Sequence, residues 1–266
     1  MDTQDRHDSP EKDILLVDGL SLGYGEKLIL ESVSFPIQRG EIVTILGGSG
    51  CGKSTLLKGI IGLLEPTHGR VLFNGETIAG EGTESEALSR ARRKMGVLFQ
   101  SGALIGSLSL AENVAIPIKE FTAVPEDLID EIVGLKLEMV KLGGYEDYMP
   151  SDLSGGMKKR AGLARAIAMD PEILFCDEPT AGLDPITAAE IDQLLIEVNK
   201  SLGITMVVIT HELSSIRTIS DRSIMLDKTA RGIIAEGTPE ELTKSGDKRV
   251  WAFFHRKPLE ASAQSE

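Results

Sequence analysis

Apolar positions along this chain follow two patterns. In the first, short β-type runs are punctuated by Gly or Asn, at Ile14 to Val17, Val33 to Ile37 and Val71 to Phe73, as in an antiparallel edge sheet. In the second, the apolar residues are nearly continuous: Ile42-Val43-Thr44-Ile45-Leu46, Ile173-Leu174-Phe175-Cys176 and Ile204-Thr205-Met206-Val207-Val208-Ile209. Runs without polar alternation predict strands covered on both faces, the pattern of a parallel sheet with crossover helices. From about Gln100 to Tyr148, Glu, Leu and Lys dominate, and Leu128, Ile132, Leu135 and Val140 recur near helical spacing. That spacing predicts an inserted helical subdomain. Asp184-Pro185 predicts a helix start, Asp as N-cap and Pro in the first turn, with Ile186, Leu194, Leu195, Val198 and Leu202 on its buried side and Gly203 at its end.

With 266 residues the chain is long enough for a sizeable core. Its net charge of −13 argues against a nucleic-acid partner, which needs clustered Lys and Arg. The uncharged window Gly96 to Ala111 is broken by Gly, Ser and Gln and falls short of the roughly 20 apolar residues of a membrane span. The polar opening MDTQDRHDSPEK lacks the apolar core of a secretory signal, so a cytoplasmic chain is expected. Cys51 and Cys176 suggest neither a disulfide framework nor a metal site. The tails, about 1–12 and 258–266, are polar enough to predict disorder.

The stretch GGSGCGKST, Gly47-Gly48-Ser49-Gly50-Cys51-Gly52-Lys53-Ser54-Thr55, fits the phosphate-loop pattern G-x-x-x-x-G-K-[ST]. A strand precedes it and a helical run, Leu56 to Leu64, follows, so backbone N–H groups of the loop and the helix start can converge on phosphate oxygens. Residues without a Cβ allow close approach. Lys53 would face the β and γ phosphates, and the Ser54 hydroxyl would ligate Mg²⁺. The loop predicts a nucleoside triphosphate ligand.

A second signal sits at the end of the Ile173–Cys176 strand. Asp177 can hold the magnesium through water, and Glu178 can orient and deprotonate an attacking water. Upstream, Leu153-Ser154-Gly155-Gly156-Met157 is another Gly-rich turn opening a helical run, Lys158 to Met169. One nucleotide does not need two such loops, so Ser154, Gly155 and Gly156 are expected to cover a nucleotide held by another copy of the chain.

Together these motifs resemble the ATPase subunits of ATP-binding cassette (ABC) transporters, over roughly residues 14 to 240. The resemblance implies a P-loop NTPase fold with a mostly parallel sheet, an antiparallel β-subdomain and an inserted helical subdomain over about 100–168. It divides the chain into an N-terminal tail (1–12), a cassette domain (13–245) and a C-terminal extension (246–266). It further implies two subunits closing head to tail on two ATP molecules and their Mg²⁺ ions. By the same resemblance, Gln100 senses Mg²⁺ and the membrane partner, Ala181-Gly182-Leu183-Asp184 contacts the other subunit, His211 contacts the γ-phosphate, and Tyr24 stacks on adenine. Two positions depart from the family's usual pattern, Met157 in place of Gln and Gly48 in place of Pro; neither removes a needed donor.

Within that family, FQSGAL (Phe99 to Leu104), LSGGMKKRAGLARAIAMDPEI (Leu153 to Ile173) and THEL (Thr210 to Leu213) resemble the ATPases of Mla- and Mce-type phospholipid transporters. The resemblance implies a homodimer at the cytoplasmic face of the bacterial inner membrane, two permease subunits, an MCE-domain lipid-binding protein and sometimes a small STAS-type subunit. Asn113, Val114, Pro117 and Ile118 would form the groove for a permease helix. The ending Val250-Trp251-Ala252-Phe253-Phe254 reads as core packing of a last helix, or as a contact with another subunit. The alternatives are an importer ATPase for amino acids or metals, a soluble cassette acting on DNA or ribosomes, and a non-hydrolysing module. Glu178 and His211 argue against the last.

Overall fold

A computed structural model describes residues 12–84 and 86–257, so the two predicted tails lie almost entirely outside the described residues. The chain opens with a long hairpin, β1 (Asp13–Tyr24) and β2 (Lys27–Gln38), followed by β3 (Ile42–Leu46) and α1 (Lys53–Ile60). A second hairpin, β4 (His68–Phe73) and β5 (Glu76–Gly80), leads to α2 (Ala87–Arg92) and β6 (Met95–Leu98). Three helices follow, α3 (Leu110–Phe121), α4 (Glu126–Met139) and α5 (Gly155–Ala166). The chain then runs through β7 (Ile173–Asp177), α6 (Pro185–Leu202), β8 (Thr205–Ile209), α7 (Leu213–Ile219), β9 (Arg222–Asp227) and β10 (Gly232–Gly237) to two short helices, α8 (Pro239–Thr243) and α9 (Lys248–His255).

Two sheets result. The hairpins form a four-stranded antiparallel sheet in the order β2-β1-β4-β5; the other sheet runs β10-β9-β3-β8-β7-β6, parallel except for β10. The continuous apolar runs are explained by what covers them. On β3, β7 and β8, Val43, Ile45, Ile173, Phe175, Val207 and Ile209 enter the core beneath the antiparallel sheet and α1, while Ile42, Leu174, Cys176, Met206 and Val208 enter the core shared with α3 to α6. A side-chain period of two therefore buries both faces. Each fully buried aromatic or aliphatic side chain removed from such a core costs about 2–5 kcal/mol.

The helix starts follow their capping chemistry. Ser109 and Glu112 form a reciprocal capping box on α3, and the Asp184 carboxylate accepts from Ile186 N–H and Thr187 N–H at the start of α6. Gly203 ends α6 in the left-handed conformation, φ 66°.

Three expectations about helix faces are corrected. On α4 the buried line is Ile129, Val133 and Leu137, continued by Val140, and both Leu128 and Leu135 are exposed. On α6, Ile191 joins Leu194, Leu195 and Val198 in the core, whereas Ile186, 75% exposed, and Leu202 face solvent. On α3, Asn113, Val114 and Ile118 are buried inside the helical layer, Asn113 through bonds to the carbonyls of Ile105, Leu108 and Ser109. They cannot line a groove for another protein. The terminal helix α9 buries Val250 and Phe254 against Leu46, Ile216, Met225 and Leu242, with Trp251 partly exposed and stacked on His255.

Candidate nucleotide site

The site is assembled at the carboxyl ends of the central strands. Strand β3 lies between β8 and β9, and its carboxyl end turns directly into the Gly-rich loop and α1; ligands of open α/β sheets bind at such edges. The four glycines divide by role. Gly47 has φ 142°, and a Cβ there would meet the Leu226 carbonyl oxygen at 2.4 Å and Cys51 Sγ at 2.5 Å. Gly52, φ 106°, would bring a Cβ within 2.8 Å of Leu30 Cδ2. These two are glycines because the protein itself leaves no room. At Gly48 and Gly50 a Cβ meets nothing within 4 Å, so that side of the loop is open to a ligand.

Cys51 points the other way. It is 1% exposed, its sulfur lies against Gly47, and burial raises its thiol pKa, with Lys53 only partly opposing. Only its backbone can face a phosphate, and the buried thiol is not poised as a reactive thiolate. Ser49 and Ser54 are exposed, and Thr55 is half-buried. The Lys53 ammonium donates to the carbonyl oxygens of Gly47 (2.8 Å) and Gly48 (3.2 Å).

Beside the loop is a cavity of about 700 Å³ lined by Gly50, Gly52, Lys53, Ser54 and Thr55, by Glu26 to Ile29 of the first hairpin, and by Lys228 and Arg231. Four cations against one carboxylate suit an anionic ligand. Lys27, Lys228 and Arg231 escape sequence reasoning, since nothing local ties residues so far along the chain to the loop. Tyr24 is 50% exposed at the end of β1, paired with Lys27 across the turn, next to the cavity rather than in its wall.

Register brings the strand-end residues together. Asp177 of β7 pairs with Ile209 of β8, and Glu178 N–H donates to the Ile209 carbonyl at 2.8 Å. This sets Glu178 beside His211, whose Nδ1 is 2.8 Å from Glu178 Oε1. The other oxygen, Glu178 Oε2, is buried with no hydrogen-bond partner among the described residues. Burial and the neighbouring Glu178 charge push the Asp177 carboxyl up from its ordinary range, against Lys53 and Lys159. Glu178 has φ 50°, a left-handed conformation that is uncommon away from glycine.

Gln100 is exposed just past β6. The loop after it is pinned by Arg165 of α5, which donates to the carbonyls of Ala103 (2.8 Å) and Gly102 (3.0 Å). Ser154 caps α5, accepting from Met157 N–H, and Gly156 is packed so closely on Thr187 that a Cβ would lie 2.5 Å from its methyl. Ser154 and Gly156 line a separate depression with Arg160 and Glu190, which shares no residue with the phosphate-loop cavity. Within one chain, the two Gly-rich loops do not meet on one ligand cavity.

A model of the ABC transporter family matches residues 30–181. The intermembrane phospholipid transport system ATP-binding protein MlaF of Haemophilus influenzae is 42% identical over 91% of this chain and 90% of its own length. The chain belongs to the ABC transporter family. Among other ABC relatives, the probable ribonucleotide transport ATP-binding protein mkl of Mycobacterium leprae is 40% identical, over 94% of this chain and 71% of its own. A dimeric post-hydrolysis structure of the ATP-binding cassette MJ0796, bound to ADP and phosphate, superposes with a TM-score of 0.75 at 32% identity, covering 85% of this chain and 98% of that one. The two-sheet arrangement is thus that of an ABC ATPase, as the sequence motifs predict. Among the described residues no helix is long and apolar enough to cross a membrane.

The side chains of this ABC ATPase fit ATP with magnesium. The open faces of Gly48 and Gly50 leave space for phosphate, the cavity is rich in cations, and Glu178 Oε2 is a buried acceptor awaiting a donor. Ser54, Asp177 and Gln100 offer only oxygen ligands, the hard donor set that magnesium prefers, used alongside phosphate oxygens and water. The described residues contain no group of three or more His, Cys, Asp and Glu that could hold a metal unaided.

Proposed function

We propose that this chain is the ATP-hydrolysing subunit of a transporter that moves phospholipid between bacterial membranes, working as a homodimer on the cytoplasmic face of the inner membrane. The observation that carries the reading is the likeness to MlaF, which runs along nearly the whole of both chains. The site geometry supplies a mechanism. Backbone N–H groups from Gly48 to Thr55 and the Lys53 ammonium hold the triphosphate, and Tyr24 stacks at the adenine end. Ser54, Asp177 and Gln100 would hold the magnesium, which would supply positive charge against the phosphates. Glu178 orients and deprotonates the attacking water, and His211, already bonded to Glu178, reaches the γ-phosphate.

Ser154, Gly155 and Gly156 complete the partner's site. Their separation from the chain's own cavity and the dimeric state of MJ0796 support this. A permease spanning the bilayer, an MCE-domain protein and a small STAS-type subunit complete the assembly. The relatives named for ribonucleotide transport favour a second reading with the same ATPase and a different cargo.

The test is affinity purification of the chain from native membranes with analysis of bound protein and lipid. Recovery of a multi-helix permease, an MCE-domain protein and phospholipid is expected. Recovery with a solute-binding protein and no MCE-domain protein, or ATPase stimulation by ribonucleotides rather than lipid, would overturn the lipid reading and leave the ATPase standing. Lys53→Ala should abolish hydrolysis and greatly weaken ATP binding; unchanged turnover would remove the phosphate-loop assignment.

A further inference from the structure

Lys159 is a buried cation that the proposed ATPase chemistry leaves unused. It lies on α5, the helix that begins at Ser154, and is only 5% exposed. Its ammonium donates to the backbone carbonyl of Glu178 at 2.8 Å. Burial lowers the pKa of this lysine, and the Glu178 and Asp177 carboxylates act against that loss of charge. A long cationic side chain taken out of water needs a reason, and its acceptor is informative. Glu178 is held at φ 50° by its surroundings, its N–H bonded to Ile209 and its C=O to Lys159. Loss of either bond frees the residue to relax toward an ordinary backbone conformation, which would re-aim its carboxylate.

We propose that Lys159 is a positioning residue that couples the two ATP sites of the homodimer by transmitting the seating of α5 to the backbone of Glu178. This rests on the homodimer reading above. In a head-to-tail dimer, the N-terminus of α5 lies on the nucleotide held by the partner, whereas Glu178 acts on the nucleotide held by its own chain. Lys159 therefore links one subunit's contact with the partner's ATP to the catalytic carboxylate of its own site. Arg165 adds rigidity on the same helix, tying α5 to the loop that follows Gln100. A movement of α5 on engaging ATP thus reaches Glu178 through one side chain and the Gln100 loop through another. The connection is a direct bond at each end and requires no chain of intermediate contacts.

Two variants test it. Lys159→Met keeps the length of the side chain and deletes the donor, and Lys159→Arg keeps a cationic donor. In the assembled transporter, Lys159→Met should lower kcat about tenfold, the scale of one lost charged hydrogen bond. It should also bring the Hill coefficient for ATP toward one while leaving ATP affinity within about threefold of the parent. Lys159→Arg should retain the parent's cooperativity. Parental kcat and Hill coefficient in Lys159→Met would overturn the proposal. So would a folded, ATP-binding Lys159→Arg protein that loses cooperativity. If Lys159→Met does not fold, as read by its melting temperature, Lys159→Arg alone decides in the same two directions. Failure of the homodimer reading is seen separately, as absence of an ATP-dependent dimer in Glu178→Gln; a Glu178→Gln dimer combined with unaltered cooperativity in Lys159→Met sinks only the role of the lysine.

Discussion

His211 Nδ1 lies 2.8 Å from Glu178 Oε1, close enough for the imidazole to donate a hydrogen bond to the carboxylate. Its Nε2 faces Glu212 at 3.5 Å, so each ring nitrogen has a carboxylate beside it. Because the two side chains form one unit, their substitutions should not add. Glu178→Gln should keep ATP binding and slow hydrolysis by about 10²-fold or more, and His211→Ala should also impair turnover. The double variant should be no worse than Glu178→Gln alone, as read by steady-state phosphate release. Multiplying effects would show that the pair acts independently.

Cys51 should resist maleimide in the folded protein, with or without ATP, because its sulfur is buried and its thiol pKa is raised. Cys176, fully buried with a thiol pushed up to about 12, should be equally inert. Mass spectrometry after labelling checks both. Rapid modification of Cys51 that ATP prevents would put its side chain in the phosphate path.

Asp192 is 3% exposed on α6, one of its oxygens has no hydrogen-bond partner among the described residues, and burial pushes its carboxyl up to about 6 from an ordinary 3.8. The folded state thus binds this proton more tightly than the unfolded state. The charge therefore lowers stability as pH rises from about 4 to about 6, by about 1–3 kcal/mol in all. Asp192→Asn should raise stability relative to the parent at pH 7.5 and leave it nearly unchanged at pH 4. Urea unfolding at the two pH values measures the difference; an equal gain at both would mean that ionisation is not the cause.

Val114→Asp should disrupt the helical layer, costing about 3 kcal/mol or more, because a carboxylate there has no solvent and no partner. Circular dichroism melting of the isolated chain shows this without any permease. A variant that melts like the parent but fails to bind membranes would restore Val114 to a docking role.

The phosphate loop, the strand-end carboxylates and the α6 cap are legible in sequence because each is fixed by neighbours a few residues away. The core strands are legible because both of their faces are apolar. Helix faces are harder. On α4, Leu128 and Leu135 make one helical line and Ile129, Val133 and Leu137 another, and only packing against α3 and α5 selects the second. The burial of Cys51 depends on a core whose other members, Leu226 among them, lie far along the chain. Lys159 is hidden for the opposite reason: in the run Lys158-Lys159-Arg160 a charged residue suggests solvent, although its helical neighbours Gly156 and Leu163 are buried.

The two bonds from Lys53 to the carbonyls of Gly47 and Gly48 bear on how rigid the phosphate loop is. These contacts tie the Lys53 side chain back to the backbone of its own loop and brace the loop in one shape. A loop braced in this way does not have to be ordered when it takes up a phosphate, and so avoids much of the entropy loss that ordering entails. Product departure likewise leaves a loop that needs no refolding before the next nucleotide arrives.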